Sequence, residues 1–147
     1  MTIRAATAAD RAALCALLAS HRLPLDGLPE TLAGFVVAED ADGRLLGVAG
    51  LESYDGVALL RSVAVAAPGQ GVGAALVDHL LTEADAEGRP VVLLTTTADA
   101  YFPRFGFVPV ARDAVPAAVT TSAEFQGACP ASAVVMLRTA SVSAPSA

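Results

Sequence analysis

The 147 residues carry nine Arg, no Lys, 15 acidic side chains and two His, for a net charge of −6 at pH 7, and 54% of positions are apolar. That is the size and composition of one domain with one core, and its singly scattered Arg residues form no face that would neutralise successive phosphates, which argues against a nucleic-acid partner. The absence of Lys removes the phosphate-loop lysine of nucleotide triphosphatases and the Schiff-base lysine of pyridoxal enzymes. The apolar runs are interrupted before the roughly 20 residues a membrane-spanning helix needs, and Met1 to Arg4 lacks the layout of a signal peptide, so a cytoplasmic protein without a membrane partner is expected. Cys15, Cys129, His21 and His79 lie too far apart for a compact metal site, and no metal is expected.

In chain order, Ile3 to Ala5 reads as a short strand, and Thr7-Ala-Ala-Asp10 as a near capping box opening a helix with Leu14, Leu17 and Leu18 on one face. Leu23 to Glu30 mixes Pro and Gly with leucines, which suits an irregular loop with an apolar underside, of the kind that closes over a ligand. Phe35 to Ala38, Arg44 to Glu52 and Val57 to Val65, separated by Asp42-Gly43 and Asp55-Gly56, predict a three-stranded antiparallel meander. Gly71 to Glu87 predicts a helix with Val72, Leu76, Val77, Leu80, Leu81 and Ala84 inward, and Val91 to Thr96 a strand covered on both faces. Ala98 to Phe105 fits a short helix, Phe107 to Val110 and Ser132 to Arg138 fit strands, and Pro116 to Gly127 is ambiguous, with Pro116 able to begin a helix. A single domain is expected over residues 1–139, with a frayed tail at 140–147.

The most informative stretch is Leu59 to Val65 followed by Ala66-Ala-Pro-Gly-Gln-Gly-Val-Gly-Ala-Ala75. Gly69, Gly71 and Gly73 remove side chains where backbone would approach a ligand, and the first amides of a helix are unpaired donors at a positive dipole end, a site for pyrophosphate. Glycines that merely permit a tight turn are the plainer alternative. A dinucleotide-binding loop is the nearest rival, but a meander precedes this loop, and the next strand ends in Thr95-Thr96-Thr97 without an acid to hold a ribose.

Pro68-Gly-Gln-Gly-Val-Gly73 resembles the acyl-CoA loop of the GNAT superfamily, matching at both glycines and departing where Pro68 replaces the usual Arg or Gln. Ala98-Asp-Ala-Tyr-Phe-Pro-Arg-Phe-Gly-Phe107 is similar to that family's second motif, an aromatic pair followed by a short spacer and Gly-Phe. The resemblance implies a GNAT-like α+β fold, with a mixed, mostly antiparallel sheet, a splayed cofactor strand and helices on both faces. It implies acetyl-CoA as cosubstrate, its pyrophosphate on the amides of Gln70, Gly71, Val72, Gly73 and Ala74, and its pantetheine arm along Val63, Ala64 and Val65, with Phe102 nearby. The family's usual acid Tyr aligns with Phe102, and Tyr101, one residue earlier, is the candidate proton donor or else a packing residue.

Glu52, at the end of the strand before the splayed one, is the candidate base or else a solvated strand-end charge. Arg61 lies inside an apolar strand and needs an anion there. That anion is either a protein carboxylate, Glu52 or Glu124, or the substrate. Strict alternation puts Arg61 on one face with Val63 and Val65. Arg61, Ser62, Tyr54 and Thr120 form the candidate acceptor-binding set, with Arg22 and Arg104 as further oxyanion ligands.

Leu59 to Val65, Leu93 to Ala98, Thr120 to Phe125 and Cys129 to Ala133 together resemble the arsenic-resistance branch of N-acetyltransferases. That resemblance implies detoxifying acetylation of the α-amine of arsinothricin, or of the related phosphinothricin, and leaves a homodimer open. A silent acyl-CoA-binding module that regulates a partner is the reading from a different class.

Overall fold

The computed structural model describes residues 1–140, so the expected tail at 140–147 lies, apart from Ala140, outside the described residues. Seven strands form one sheet, β1 (Thr2–Ala5), β2 (Phe35–Glu39), β3 (Leu45–Tyr54), β4 (Val57–Val65), β5 (Val91–Thr95), β6 (Val108–Val110) and β7 (Val134–Arg138), in the spatial order β1-β2-β3-β4-β5-β7-β6. Every pairing is antiparallel except β4 with β5, where only Ala58↔Val91 and Leu59↔Val92 are in register. Beyond those two pairs the neighbouring strands part, and the sheet opens in its middle.

Two helices cover opposite faces. Helix α2 (Val72–Ala86) buries Val72, Leu76, Val77, Leu80, Leu81 and Ala84 against Val36, Ala38, Ala49, Leu51, Ala58 and Leu60 of the sheet. Each fully buried Leu or Val there contributes about 1.5–3 kcal/mol. Helix α1 (Arg11–Ser20) packs Leu14 and Leu18 against Phe35, Val37, Val48 and Ala64 on the other face. Its start is braced where the Thr7 amide donates to Asp10 Oδ2 at 2.8 Å and Arg4 donates to both Asp10 oxygens. The hairpin turns place Gly43 and Gly56 at φ of +80° and +72°, the conformation that made their Asp-Gly pairs legible.

The segment after β5 departs from the expected helix over Ala98 to Phe105. Only Phe102–Phe105 is helical, as a 3₁₀ turn with Pro103 at its start and Gly106 at φ +95° at its end. The ambiguous stretch resolves into a 3₁₀ turn at Ala117–Thr121, following Pro116, and a single wide turn at Glu124–Ala128. These turns close a third apolar cluster of Val57, Leu59, Val92, Leu94, Val115 and Val119.

Strand β4 contains a bulge. Val48 pairs with Ala64 and Gly50 with Arg61, so Ser62 and Val63 both stand opposite Ala49, and Ser62 takes the left-handed φ of +60°. A bulge leaves the extra residue out of the ladder, bends the strand and reverses the side-chain alternation beyond it. Ala58 and Leu60 point toward α2 before the bulge, while Val63 and Val65 pack on that same side after it. The expectation that Arg61 shares a face with Val63 and Val65 is therefore corrected, because Arg61 projects to the opposite side.

Candidate active site

A cleft of about 660 Å³ runs through the gap between β4 and β5. Its wall on the α2 side is formed by Ala67 to Ala74, Val63, Leu93, Thr95 to Ala98, Tyr101 and Phe102. On the other side it is walled by His21 to Pro24, Arg61, Ser62, Glu124 and Ala128 to Pro130.

The α2 side is a backbone surface. Gly69 and Gly71 adopt φ of +85° and +75°, turning the chain from strand to helix, and the first intrahelical bond from outside the helix runs from the Ala75 amide to the Gly71 carbonyl. The amides of Val72, Gly73 and Ala74 precede that bond, at the positive end of the helix dipole. A β-carbon on Gly73 would lie 3.4 Å from Val65 Cγ1 and 3.7 Å from the Tyr101 hydroxyl, so a larger side chain would fill the passage between them. Strand β4 pairs with β3 in this stretch, the Ala66 amide reaching the Leu46 carbonyl at 2.8 Å. By antiparallel alternation the backbone groups of Val63 and Val65 then face the gap. His21 Nε2 meets the Val65 carbonyl at 2.9 Å.

Tyr101, half-buried, packs edge-on against Phe102 and Phe105, with the Arg104 guanidinium 4.3 Å from its ring centre. Phe102 is buried in the α2-side core and still reaches the cleft.

The opposite wall is a side-chain network. The Arg61 side chain is completely buried, and Nη1 donates to the Asp26 carbonyl at 2.7 Å and to Glu52 Oε2 at 3.1 Å, Nη2 to the Pro24 carbonyl at 3.0 Å, and Nε to Ser62 Oγ at 3.1 Å. Glu124 Oε2 lies 3.4 Å from Nε. Arg61 is thus held by both carboxylates weighed for it, and its hydrogen bonds go to protein acceptors although it lines the cleft. Arg22 also lines the cleft, at φ +57°, its amide donating to the Ala19 carbonyl at 3.0 Å while its guanidinium makes no hydrogen bond or ion pair among the described residues.

Three residues expected at the site are not on the cleft wall. Glu52 and Tyr54 share Arg61's face of the sheet but open onto a separate hollow with Pro29, Gly34 and Leu51. The Tyr54 hydroxyl donates to Glu52 Oε1 at 2.8 Å, and burial together with that carboxylate pushes its pKa up to about 12. Thr120 turns its hydroxyl onto the Ala117 carbonyl at 2.7 Å, closing its own 3₁₀ turn. Glu124, considered from sequence only as a partner for Arg61, is by contrast the one acidic side chain on the cleft wall among the described residues. Burial raises its carboxyl pKa above the ordinary range, while Arg61 pulls the other way. The Cys129 thiol, hydrogen-bonded to Glu124, is pushed up to about 12 by burial and by that neighbouring carboxylate, which makes it a poor nucleophile.

Among the described residues no group of three or more His, Cys, Asp and Glu is arranged to hold a metal ion, and no helix is long and apolar enough to cross a membrane.

A strand that parts from its neighbour beside a glycine-turned helix start is the arrangement expected of an acyl-CoA site. A model of the acetyltransferase (GNAT) domain matches residues 31–109, and the chain belongs to that family. The structure is similar to Rv2747 from Mycobacterium tuberculosis, solved in complex with CoA and NLQ, with 27% identity, TM-score 0.79, and coverage of 95% of this chain and 99% of that one. It shares its fold with N-acetylglutamate synthase from Neisseria gonorrhoeae, complexed with coenzyme A and N-acetyl-glutamate, at 23% identity and TM-score 0.80, covering 96% of this chain and 35% of that one. An acyl-CoA N-acyltransferase from Pseudomonas aeruginosa has the same fold at 23% identity and TM-score 0.64, with coverage of 95% and 100%. A search of curated protein sequences gave no significant match. The protein is an acetyl-CoA-dependent N-acyltransferase, and acetyl-CoA is its cosubstrate.

Proposed function

We propose that the chain transfers the acetyl group of acetyl-CoA to the amine of a small anionic amino acid of the arsinothricin or phosphinothricin type, a detoxifying acetylation. The observation that carries this reading is the cleft itself. It joins a helix start that suits pyrophosphate to an opposite wall where Arg22 has no protein anion. Arg104, whose Nε is spent on the Tyr101 carbonyl at 2.9 Å, stands on the same cleft as a second cation. Guanidinium groups bind carboxylate, phosphinate or arsonate oxygens in bidentate fashion, which favours an amine carrying oxyanions over a polyamine. Rv2747, similar over 95% of this chain, was solved with CoA and a second ligand together.

In this reading the amides of Gln70 to Ala74 hold the pyrophosphate, and the gap-facing backbone of Val63 and Val65, with Ala64 between them, pairs with the pantetheine arm. The cosubstrate supplies an acetyl group on a thioester. Backbone donors at the Ser62 and Val63 bulge polarise its carbonyl, as preorganised dipoles do in acyl transfer. Tyr101 is the one phenol on the cleft wall, Tyr54 lying elsewhere, and is proposed as the proton donor to the departing thiolate. Arg61 and Ser62 shape the acceptor end, Arg61 by fixing the Pro24 to Asp26 loop against β4.

The test is an acceptor screen with arsinothricin, phosphinothricin, free amino acids and polyamines, following CoA thiol release and the mass of the product. Amine-dependent release is expected with the two phosphinate- or arsenic-bearing amino acids. Acetyl-CoA binding without amine-dependent release from any of them would favour a silent regulatory module.

A further inference from the structure

On the wall opposite α2, Arg61 is the buried cation, and it stands between two carboxylates. Glu52 takes the shorter contact, 3.1 Å to Nη1, and also accepts from Tyr54, whereas Glu124 stands 3.4 Å from an Nε already donating to Ser62. Glu124 is therefore the less neutralised of the pair. Its side chain is 4% exposed, yet it borders the cleft beside Ala128, Cys129 and Pro130, at the end remote from the α2 amides.

The charged and titratable groups that face Glu124 come from three directions. Arg61 comes from β4, Glu52 from β3 with Tyr54 behind it, and Cys129 from the end of Glu124's own turn. Arg112, on the preceding 3₁₀ turn, acts on Cys129.

We propose that Glu124 receives the proton of the acceptor amine, with Arg61 and Cys129 as the residues that position its carboxylate. This rests on the acetyltransferase activity but not on the identity of the acceptor. An amine arriving as ammonium pairs with the carboxylate and gives it one proton. The neutral nitrogen then forms the C–N bond to the thioester carbonyl carbon, and the C–S bond breaks with its electron pair leaving on sulfur. The second proton lost from nitrogen protonates the thiolate through Tyr101 or water, and Glu124 returns its own to solvent. A base is most effective when its proton affinity lies near the working pH, and burial lifts a carboxyl toward that range. The thiol of Cys129 donates to the charged form and Arg61 attracts it, both opposing the upward push of burial.

The experiment uses Glu124→Gln, which preserves size and buried polarity but cannot accept the proton, with any amine that supports turnover. The expected result is a loss in kcat of about 10²- to 10⁴-fold, the usual worth of a positioned acid or base, with the acidic limb of the kcat profile abolished. The KM for acetyl-CoA should hold within about twofold. An unchanged profile, or loss of the limb in Glu52→Gln or His21→Gln instead, overturns the proposal. Cys129→Ala removes a donor to the ionised carboxylate and should move the acidic limb to higher pH; an unmoved limb overturns its positioning role. Carbon NMR of the side-chain carboxyls, with Glu124 assigned by its absence in Glu124→Gln, needs no acceptor. A midpoint above the ordinary Glu value of about 4.3 is expected, and one at that value overturns the proposal even where no acceptor has been found.

Discussion

The two walls of the cleft are built on different principles. The α2-side wall is dominated by main chain of one stretch, β4 through the start of α2, with Leu93, Thr95 to Ala98, Tyr101 and Phe102 beside it, and the recognition groups proposed for it are amides that any sequence able to make the turn would supply. The proposed acceptor wall is made of three separated segments, residues 21–24, 61–62 and 124–130, tied together by one buried guanidinium that Glu52 braces from outside the cleft. A backbone site is fixed by local conformation and is common to a family, whereas a side-chain network is fixed by long-range packing and carries what is particular to one member.

The largest effect that would break this contrast belongs to Arg61. Arg61→Ala leaves the buried Glu124 and the half-buried Glu52 without their cation and should cost about 3–5 kcal/mol, lowering Tm by about 10 °C. A melting curve close to that of the unaltered protein would mean that the acceptor wall does not depend on this residue. On the cofactor wall, Gly73→Val fills the passage between Val65 and Tyr101 and should raise the KM for acetyl-CoA about tenfold, an expense of about 1.4 kcal/mol in binding. The KM for the amine should change little, and equal effects on both would erase the separation of the walls.

Smaller still, Arg22→Ala should raise the KM for an anionic amine about fivefold through the loss of one exposed charge-assisted contact, with acetyl-CoA unaffected. The smallest effect lies outside the cleft. Asp10 has its pKa lowered from 3.8 to about 2, chiefly by hydrogen bonds from Arg4, so its contribution to stability is present above pH 3.8 and is lost as pH falls through about 2. Asp10→Asn should cost about 1 kcal/mol at pH 7, and the difference in Tm should vanish below pH 2.

This contrast also explains what was legible in the sequence. The meander, α2 and its inward residues follow from periodicity and from Asp-Gly turns, and the glycine loop is a contiguous motif. The bulge at Ser62 has no turn-forming Gly, Pro or Asn to mark it, since Leu59 to Val65 reads as an apolar strand interrupted only by Arg61 and Ser62, and a single extra residue reverses which face Val63 and Val65 meet. That reversal accounts for the error over the face of Arg61. Glu52 and Tyr54 misled for a related reason. Their closeness to Arg61 is real, but both open onto a separate hollow rather than onto the cleft. Glu124 sits in the segment with the weakest periodicity, between a 3₁₀ turn and a wide turn, and only the packing of that segment over β4 and β5 brings it to the cleft. Its separation from Arg61 by 63 positions could be bridged from sequence only through the need of a buried cation for a partner.

The acceptor proposed for this cleft is a small amine recognised by its anionic group. The most direct test of that proposal is the ratio of kcat/KM for phosphinothricin to that for the amine lacking its α-carboxylate, measured at saturating acetyl-CoA in the unaltered protein and in Arg22→Ala. The account predicts a clear preference for the carboxylate-bearing amine that shrinks in Arg22→Ala. Equal use of both amines, or a preference for the one without the carboxylate, would contradict it.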